Sequence, residues 1–500
     1  MRGTALASVT VSTAYGKVRG QEREGVAAFL GIPYAAPPFG PLRFRPARPP
    51  EPWAGERDCG RPGQAAPQPG YSSAMAELLV EPVETGEDCL NLNVWSPAPG
   101  RAAGRLPVLV WIHGGAFRNG SGSLPGYDGT RLAADGAVCV TLNYRLGAEG
   151  FLLLPDGTAN LGLLDQIAAL EWVRDNIAAF GGDPDNVTVF GQSAGAISIT
   201  ALMTMERAEG LFHRAITQSG AGHHCHSLET GRRITERLAA IAGVEHTTEA
   251  LAAVPPARLI AANAALGQEM ARDTAPGRWG ESAGGGTTVL PVVDGTTLRA
   301  RPVDAVAAGA GRDIDLLTGT TTDEFRLFLV ALGMADRITD EVLHGFLASF
   351  GLDAAQAVAA YRADRPEATP GDLFSAVMTD HSYRIPAIRV AEARAALGAR
   401  TFVYEFARPS PALDGRLGAC HMAEIGLVFG TTDPLLGAEP PKELSDRMRA
   451  AWLAFAREGR PEPDWPPYGP DRSVLHLTGD AFRLRQDPGG RERSLWEGVR

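Results

Sequence analysis

The stretch VTVFGQSAGAISIT runs from Val187 to Thr200. Residues of β character lead into Gly191, then Gln192, Ser193, Ala194 and Gly195, followed by a run of helix formers. Small residues around a serine let the backbone turn sharply between a strand and a helix. Such a turn lifts the hydroxyl above the sheet and points the helix N-terminus at it. An ordinary glycine turn would read the same way locally, so the flanking segments decide. LPVLVWIH (Leu106–His113) and AVCVTLNYR (Ala137–Arg145) are short apolar runs that suit buried strands. Between them and VTVF, the positions Leu163, Ile167, Leu170, Val173, Ile177 and Phe180 recur every three or four residues, which predicts a helix stopped by Gly181, Gly182 and Pro184. RAITQSG (Arg214–Gly220) reads as a further strand after the helix-like Ala194–Thr204. Strand–helix alternation of this kind predicts a parallel sheet with helices on both faces, an α/β protein. In that setting Ser193 reads as a nucleophile.

A serine hydroxyl attacks poorly unless a base removes its proton, an acid orients the base, and donors receive the oxyanion. HGGAF (His113–Phe117), placed directly after a predicted strand, offers the backbone N–H groups of Gly114 and Gly115, joined by that of Ala194. Side chains at the two glycines would crowd the substrate. The same glycines could instead form a phosphate loop, but no Gly-Lys-Ser/Thr follows them.

The 500 residues are 44% hydrophobic and 21% charged, as in soluble globular proteins, and carry a formal net charge of -11. That charge argues against nucleic acid and against anionic membrane surfaces as partners. No stretch approaches the roughly 20 apolar residues of a membrane span. The start, MRGTALASVTVSTAYGKVRG, makes a poor secretory signal, so a cytoplasmic location is expected. Cys59, Cys89, Cys139, Cys225 and Cys420 are few, odd in number and without a CxxC pair, which reads as free thiols rather than a disulfide framework or zinc ribbon. HHCH (His223–His226) has the residue types of a metal site, but neighbours on an extended chain point to opposite faces. These histidines are read as lining a cleft rim or facing solvent, and no metal or other cofactor is expected.

Several stretches together resemble the type-B carboxylesterase family, which includes bacterial para-nitrobenzyl-type esterases and cholinesterases. They are FLGIPYAAPP (Phe29–Pro38), EDCLNLNVWSP (Glu87–Pro97), VWIHGGAF, NYRLGAEGFL (Asn143–Leu152), the long NLGLLDQ…FGQSAGA segment and AWLAFAREGRPEPDWPPY (Ala451–Tyr468). The resemblance implies an α/β-hydrolase fold, a mostly parallel central sheet with large helical insertions. On this reading residues 1–500 form one catalytic domain, with helical insertions at 226–310 and 330–420 shaping a gorge. It also implies a Ser-Glu-His triad. Spacing alone does not choose the acid; the resemblance carries it onto Glu324 in GTTTDEF (Gly319–Phe325), where Phe325 replaces a common glycine. It carries the base onto His421 in GACHMAEIGLVFG, with Met422 in place of another glycine. His421 also follows the strand-like TFVYEF, and the chain order Ser193, Glu324, His421 is the α/β-hydrolase order. Ser219 in TQSGAG matches a serine that supports the acid and base by hydrogen bonding in the family. Cys89 matches a position that is disulfide-bonded in secreted members, but the expected partner segment QAAPQPGYSSAMAE has no cysteine. The same loop lacks the tryptophan of choline-specific members and offers only Tyr71, so choline esters are not expected.

The expected function is serine carboxylesterase acting on small-molecule esters through an acyl-enzyme, with no obligate protein partner. An amide, carbamate or polyester hydrolase would use the same three residues. A non-catalytic binding protein of the same fold is the contrasting class; such relatives lack triad members, and this chain keeps all three.

Overall fold

The computed structural model describes residues 7–101, 105–273, 275–283, 287–479 and 481–499. The first six residues of the N-terminal stretch and the glycines 284–286 of SAGGGTT lie outside the described residues. The chain forms two compact units.

The first unit comprises Met1–Gly70, Glu81–Ala215 and Gly222–Ile314. β1 (Ala7–Thr13), β2 (Gly16–Arg23) and β3 (Val26–Pro33) form an antiparallel meander, and the short β4 (Glu56–Asp58) lies parallel to β2. β5 (Asn91–Ser96), β6 (Leu106–Ile112), β7 (Val138–Leu142) and β8 (Gly182–Gln192) complete the order β1-β2-β3-β5-β7-β6-β8. β6 is parallel to both β7 and β8. All five residues of β7 and six of the seven in β6 are buried, as befits strands covered on both faces.

The helix predicted between β7 and β8 spans Leu161–Asn176 and continues as a 3-10 turn to Phe180. It is buried well beyond one apolar stripe, because Asp165 and Gln166 also face inward. Asp165 is satisfied by Arg145, which donates from Nη2 at 2.6 Å and Nε at 2.8 Å. Apolar periodicity does not reveal a polar pair of this kind, since each charge is tolerated inside only through its partner. The segment from 226 to 310 contributes the helices Leu228–Ala242, Thr248–Ala252, Pro256–Arg272, Pro276–Trp279 and Pro302–Ala307.

The second unit comprises Tyr71–Val80, Ile216–Ala221 and Asp315–Arg500. β9 (Arg214–Gln218) runs into it and is followed in order by β10 (Asp315–Thr321), β11 (Thr401–Phe406), β12 (Ser473–Leu477) and β13 (Phe482–Gln486). β10, β11 and β12 are parallel neighbours, and β13 returns antiparallel. Helices between β10 and β11 pack around Leu343, Leu347, Tyr361, Leu373, Ile385 and Trp496. One of them, Pro370–Thr379, passes through a π-helical turn at Asp380–Arg384 into the helix Ile385–Ala396.

Candidate active site

Ser193 sits between the end of β8 and the helix Ala194–Leu202. Its backbone is held at φ 56°, ψ −122°, a region that costs a non-glycine residue on the order of 1–3 kcal/mol. The strain is tolerated because the turn is locked on both sides. Ile197 N–H donates to the Ser193 carbonyl at 2.9 Å and starts the helix. On the other side Gly195 presses against β6. A Cβ built there would lie 1.9 Å from the Ile112 carbonyl oxygen, so only glycine fits. The Gly-x-Ser-x-Gly pattern is therefore a packing requirement of the strand–helix seam. Ser193 itself is only half-buried.

The glycine pair after β6 lies beside this turn. A Cβ on Gly114 would stand 3.0 Å from the Ser193 Cβ and 2.7 Å from the Gln192 carbonyl oxygen. The chain then passes through positive φ at Gly115 (113°), Ala116 (54°) and Phe117 (58°). The backbone N–H groups of Gly114 and Gly115 donate to no acceptor among the described residues. Ala194 opens its helix, where the first amides have no intrahelical acceptor, and no side chain caps it. Three backbone donors are thus left open around one serine. The loop is anchored by His113, a residue to which the sequence assigned no role. Its ring is buried, stacks on Tyr144 at 4.5 Å, and contacts the Gly114 carbonyl through Nδ1 at 2.8 Å. Burial lowers its pKa to about 4, so the ring is neutral, and Nδ1 donates to that carbonyl.

In the second unit, Glu324 follows β10 and His421 follows β11. Both are buried, and His421 Nδ1 lies 2.5 Å from Glu324 Oε2. Glu324 Oε1 accepts the Thr321 N–H at 2.8 Å, and the His421 N–H donates to the Glu324 carbonyl at 3.3 Å. An ionised carboxylate can only accept, so it fixes the tautomer with the proton on Nδ1 and leaves Nε2 as a base. Asp323, the other acid of the pair, is engaged elsewhere: it accepts from Thr322 Oγ1 and the Ala419 N–H. Of the two acids, Glu324 is the one that meets the imidazole.

The imidazole of His421 is flanked by two half-buried rings, Phe328 at 5.4 Å and Tyr383 at 4.8 Å. Phe325, which replaces the common glycine, packs on Phe328 and Phe374 in the helical core. The substitution therefore supports one of the rings beside the histidine. Met422 holds the other glycine position at φ 74°, a conformation that favours glycine.

Other expectations meet a different outcome. Ser219 is buried at φ 54°, and its N–H donates to the Gly319 carbonyl at 2.8 Å. Its hydroxyl makes no hydrogen bond among the described residues, so the direct support of acid and base implied for it is not formed. His226 neither lines a rim nor faces solvent. It is buried, with Nε2 2.5 Å from Ser282 Oγ, because its backbone bridges to the segment at Pro291–Val293. His223 and His224 are half-buried. All five cysteines are buried and none is in a disulfide, and burial pushes the Cys59, Cys89, Cys139 and Cys420 thiols up.

Glu424 was not singled out from the sequence. It lies three residues beyond His421 and is fully buried. Its Oε1 accepts from Gln218 Nε2 at 3.1 Å and from the Tyr404 hydroxyl at 3.2 Å, while Oε2 has no partner among the described residues. Burial, reinforced by the charge of Glu324, raises its pKa to about 7. Only the tertiary surroundings distinguish this carboxyl from a surface glutamate.

A mostly parallel sheet flanked by helices, with a serine on the turn after β8, is the α/β-hydrolase fold. The chain belongs to the carboxylesterase family, whose model matches residues 7–496, and it is a carboxylic ester hydrolase. It is 38% identical over 501 residues to the para-nitrobenzyl esterase of Bacillus subtilis, covering 97% of each chain. It is 37% identical over 488 residues to the phenmedipham hydrolase of Pseudarthrobacter oxydans, covering 94% of each. Among solved structures, a carboxylesterase of Geobacillus stearothermophilus superposes with a TM-score of 0.84 at 38% identity, covering 97% of this chain and 99% of that one.

Proposed function

We propose that Ser193, His421 and Glu324 act together as the catalytic triad of this carboxylesterase, with the N–H groups of Gly114, Gly115 and Ala194 as its oxyanion hole. The observation that carries this reading is the strained, half-buried Ser193 on the strand–helix turn, with open backbone donors beside it. The Glu324–His421 contact supports it from the second unit.

In the proposed cycle, Ser193 Oγ attacks the ester carbonyl carbon as its proton passes to His421 Nε2. The carbonyl oxygen becomes an oxyanion facing the three N–H groups. The carbon–oxygen bond to the alcohol breaks, and Nε2 returns the proton to the departing oxygen. Water then gives a proton to Nε2 and attacks the acyl carbon; the bond to Ser193 Oγ breaks as Nε2 returns that proton to Oγ, which releases the acid and the free serine. Glu324 stays ionised throughout, because its task is to hold the tautomer and stabilise the imidazolium. The proposed substrates are small-molecule carboxylic esters, para-nitrobenzyl esters among them by similarity to the Bacillus enzyme. Five buried cysteines with no disulfide among them suit the cytoplasm, the location we propose.

The test is hydrolysis of short-chain para-nitrophenyl esters by wild type and Ser193→Ala. A loss of at least about a thousandfold in kcat is expected, since removing the nucleophile removes the covalent route. Equal rates would overturn the assignment.

A further inference from the structure

The π-helical turn Asp380–Arg384 interrupts an otherwise continuous helical run. Such turns are rare, and they recur where a side chain must be aimed at a functional site. This one is held from several directions. Asp380 and Arg384 form a bidentate ion pair at 2.5 and 2.7 Å. The Tyr361 hydroxyl donates to Asp380 Oδ2 at 2.6 Å and accepts from Trp496 Nε1 at 2.9 Å. Arg384 also donates to the Pro488 carbonyl at 2.9 Å. A turn fixed by buried charge and aromatic partners gives its side chains one orientation, and the residue it delivers to His421 is Tyr383, with rings 4.8 Å apart.

The Tyr383 hydroxyl makes no hydrogen bond among the described residues. The ring is half-buried beside the imidazole, and a phenol hydroxyl without an acceptor keeps its donor capacity. Burial, with the charge of Glu324, holds the phenol above its usual pKa, so it remains a donor at working pH.

We infer that Tyr383 is a specificity-determining residue whose hydroxyl donates a hydrogen bond to an acceptor oxygen in the alcohol portion of the ester. The chemistry places that portion there. His421 protonates the leaving oxygen, so the alcohol group departs alongside the imidazole, and a residue packed on the imidazole flanks it. The favoured alcohols carry an ether, carbonyl or nitro oxygen a few bonds from the scissile oxygen. This inference rests on the assignment of His421 as the acid–base of the reaction.

The experiment compares 2-methoxyethyl butyrate with n-butyl butyrate, which differ by one ether oxygen in place of a methylene. Wild type, Tyr383→Phe and Ser193→Ala are assayed on both. In Tyr383→Phe the ratio of kcat/KM, ether over alkyl, should fall about threefold to tenfold relative to wild type, the range of one net hydrogen bond. An unchanged ratio overturns the inference, because a ring that merely packs on His421 would affect both esters alike. Turnover by Ser193→Ala at the wild-type rate would instead overturn the triad assignment. The two failures are therefore told apart within one set of assays.

Discussion

Replacing Glu424 by glutamine tests the electrostatics around the carboxylate–imidazole pair most directly. The carboxyl is fully buried, one of its oxygens has no partner among the described residues, and Glu324 adds a neighbouring negative charge. These effects raise its pKa from 4.5 to about 7. The sign follows from proton linkage. Between pH 4.5 and 7 the folded protein holds a proton that the unfolded chain has released. The stabilisation is therefore complete below about pH 4.5 and is lost as pH rises through about 7. At 1.36 kcal/mol per pH unit, the loss between pH 5 and pH 8 comes to about 2–3 kcal/mol. Glutamine can still accept from Gln218 and Tyr404 but cannot titrate, so its stability curve should lack this component.

Two measurements check it. Urea unfolding at pH 5 and pH 8 should show wild type losing about 2–3 kcal/mol more than Glu424→Gln. Infrared difference spectra should show a protonated carboxyl band that fades with a midpoint near pH 7 in wild type and is absent from the variant. Parallel pH dependences in the two proteins, with no titrating band near neutrality, would refute the argument that burial and Glu324 govern this group.

Two further substitutions test the local geometry. Gly195→Ala places a Cβ 1.9 Å from the Ile112 carbonyl oxygen, so the helix must move off β6 and carry Ser193 with it; kcat for para-nitrophenyl esters should fall about a hundredfold or more, with a lowered Tm by calorimetry. Glu324→Gln keeps the volume but removes the charge that fixes Nδ1–H on His421, so kcat should fall on the order of a thousandfold to ten-thousandfold while the circular dichroism spectrum stays that of wild type.

What could be read from the sequence follows how local each constraint is. Ser193, Gly195 and Gly114 were legible because a tight turn against a buried strand admits few side chains, and that requirement is written into adjacent residues. The parallel strands β6 and β7 were legible as apolar runs, though β6 ends one residue and β7 three residues before the quoted stretch does, since the last residues turn out of the sheet into loops. Glu324 and His421 are separated by 97 positions and meet because they leave neighbouring parallel strands at the same end. No spacing rule specifies such a meeting, and only the family resemblance distinguished Glu324 from Asp323. Glu424 and Tyr383 were hidden for different reasons. Burial, not residue type, makes the first a neutral-range acid, and the second depends on a π turn, whose five-residue step leaves no mark in a pattern of 3.6.

The two departures from the family pattern carry opposite physical meanings. Phe325 replaces a glycine at φ −78°, where any residue fits, and its ring joins the aromatic contacts that reach His421 through Phe328. Met422 replaces a glycine at φ 74°, where a side chain is strained. Its backbone follows His421 directly, and the His421 N–H is already committed to the Glu324 carbonyl. Relaxing Met422 into an ordinary conformation would rotate that peptide and disturb the 2.5 Å contact between imidazole and carboxylate. The strain therefore persists because the paired acid and base over-determine the turn, in the same way that β6 and the following helix over-determine Ser193.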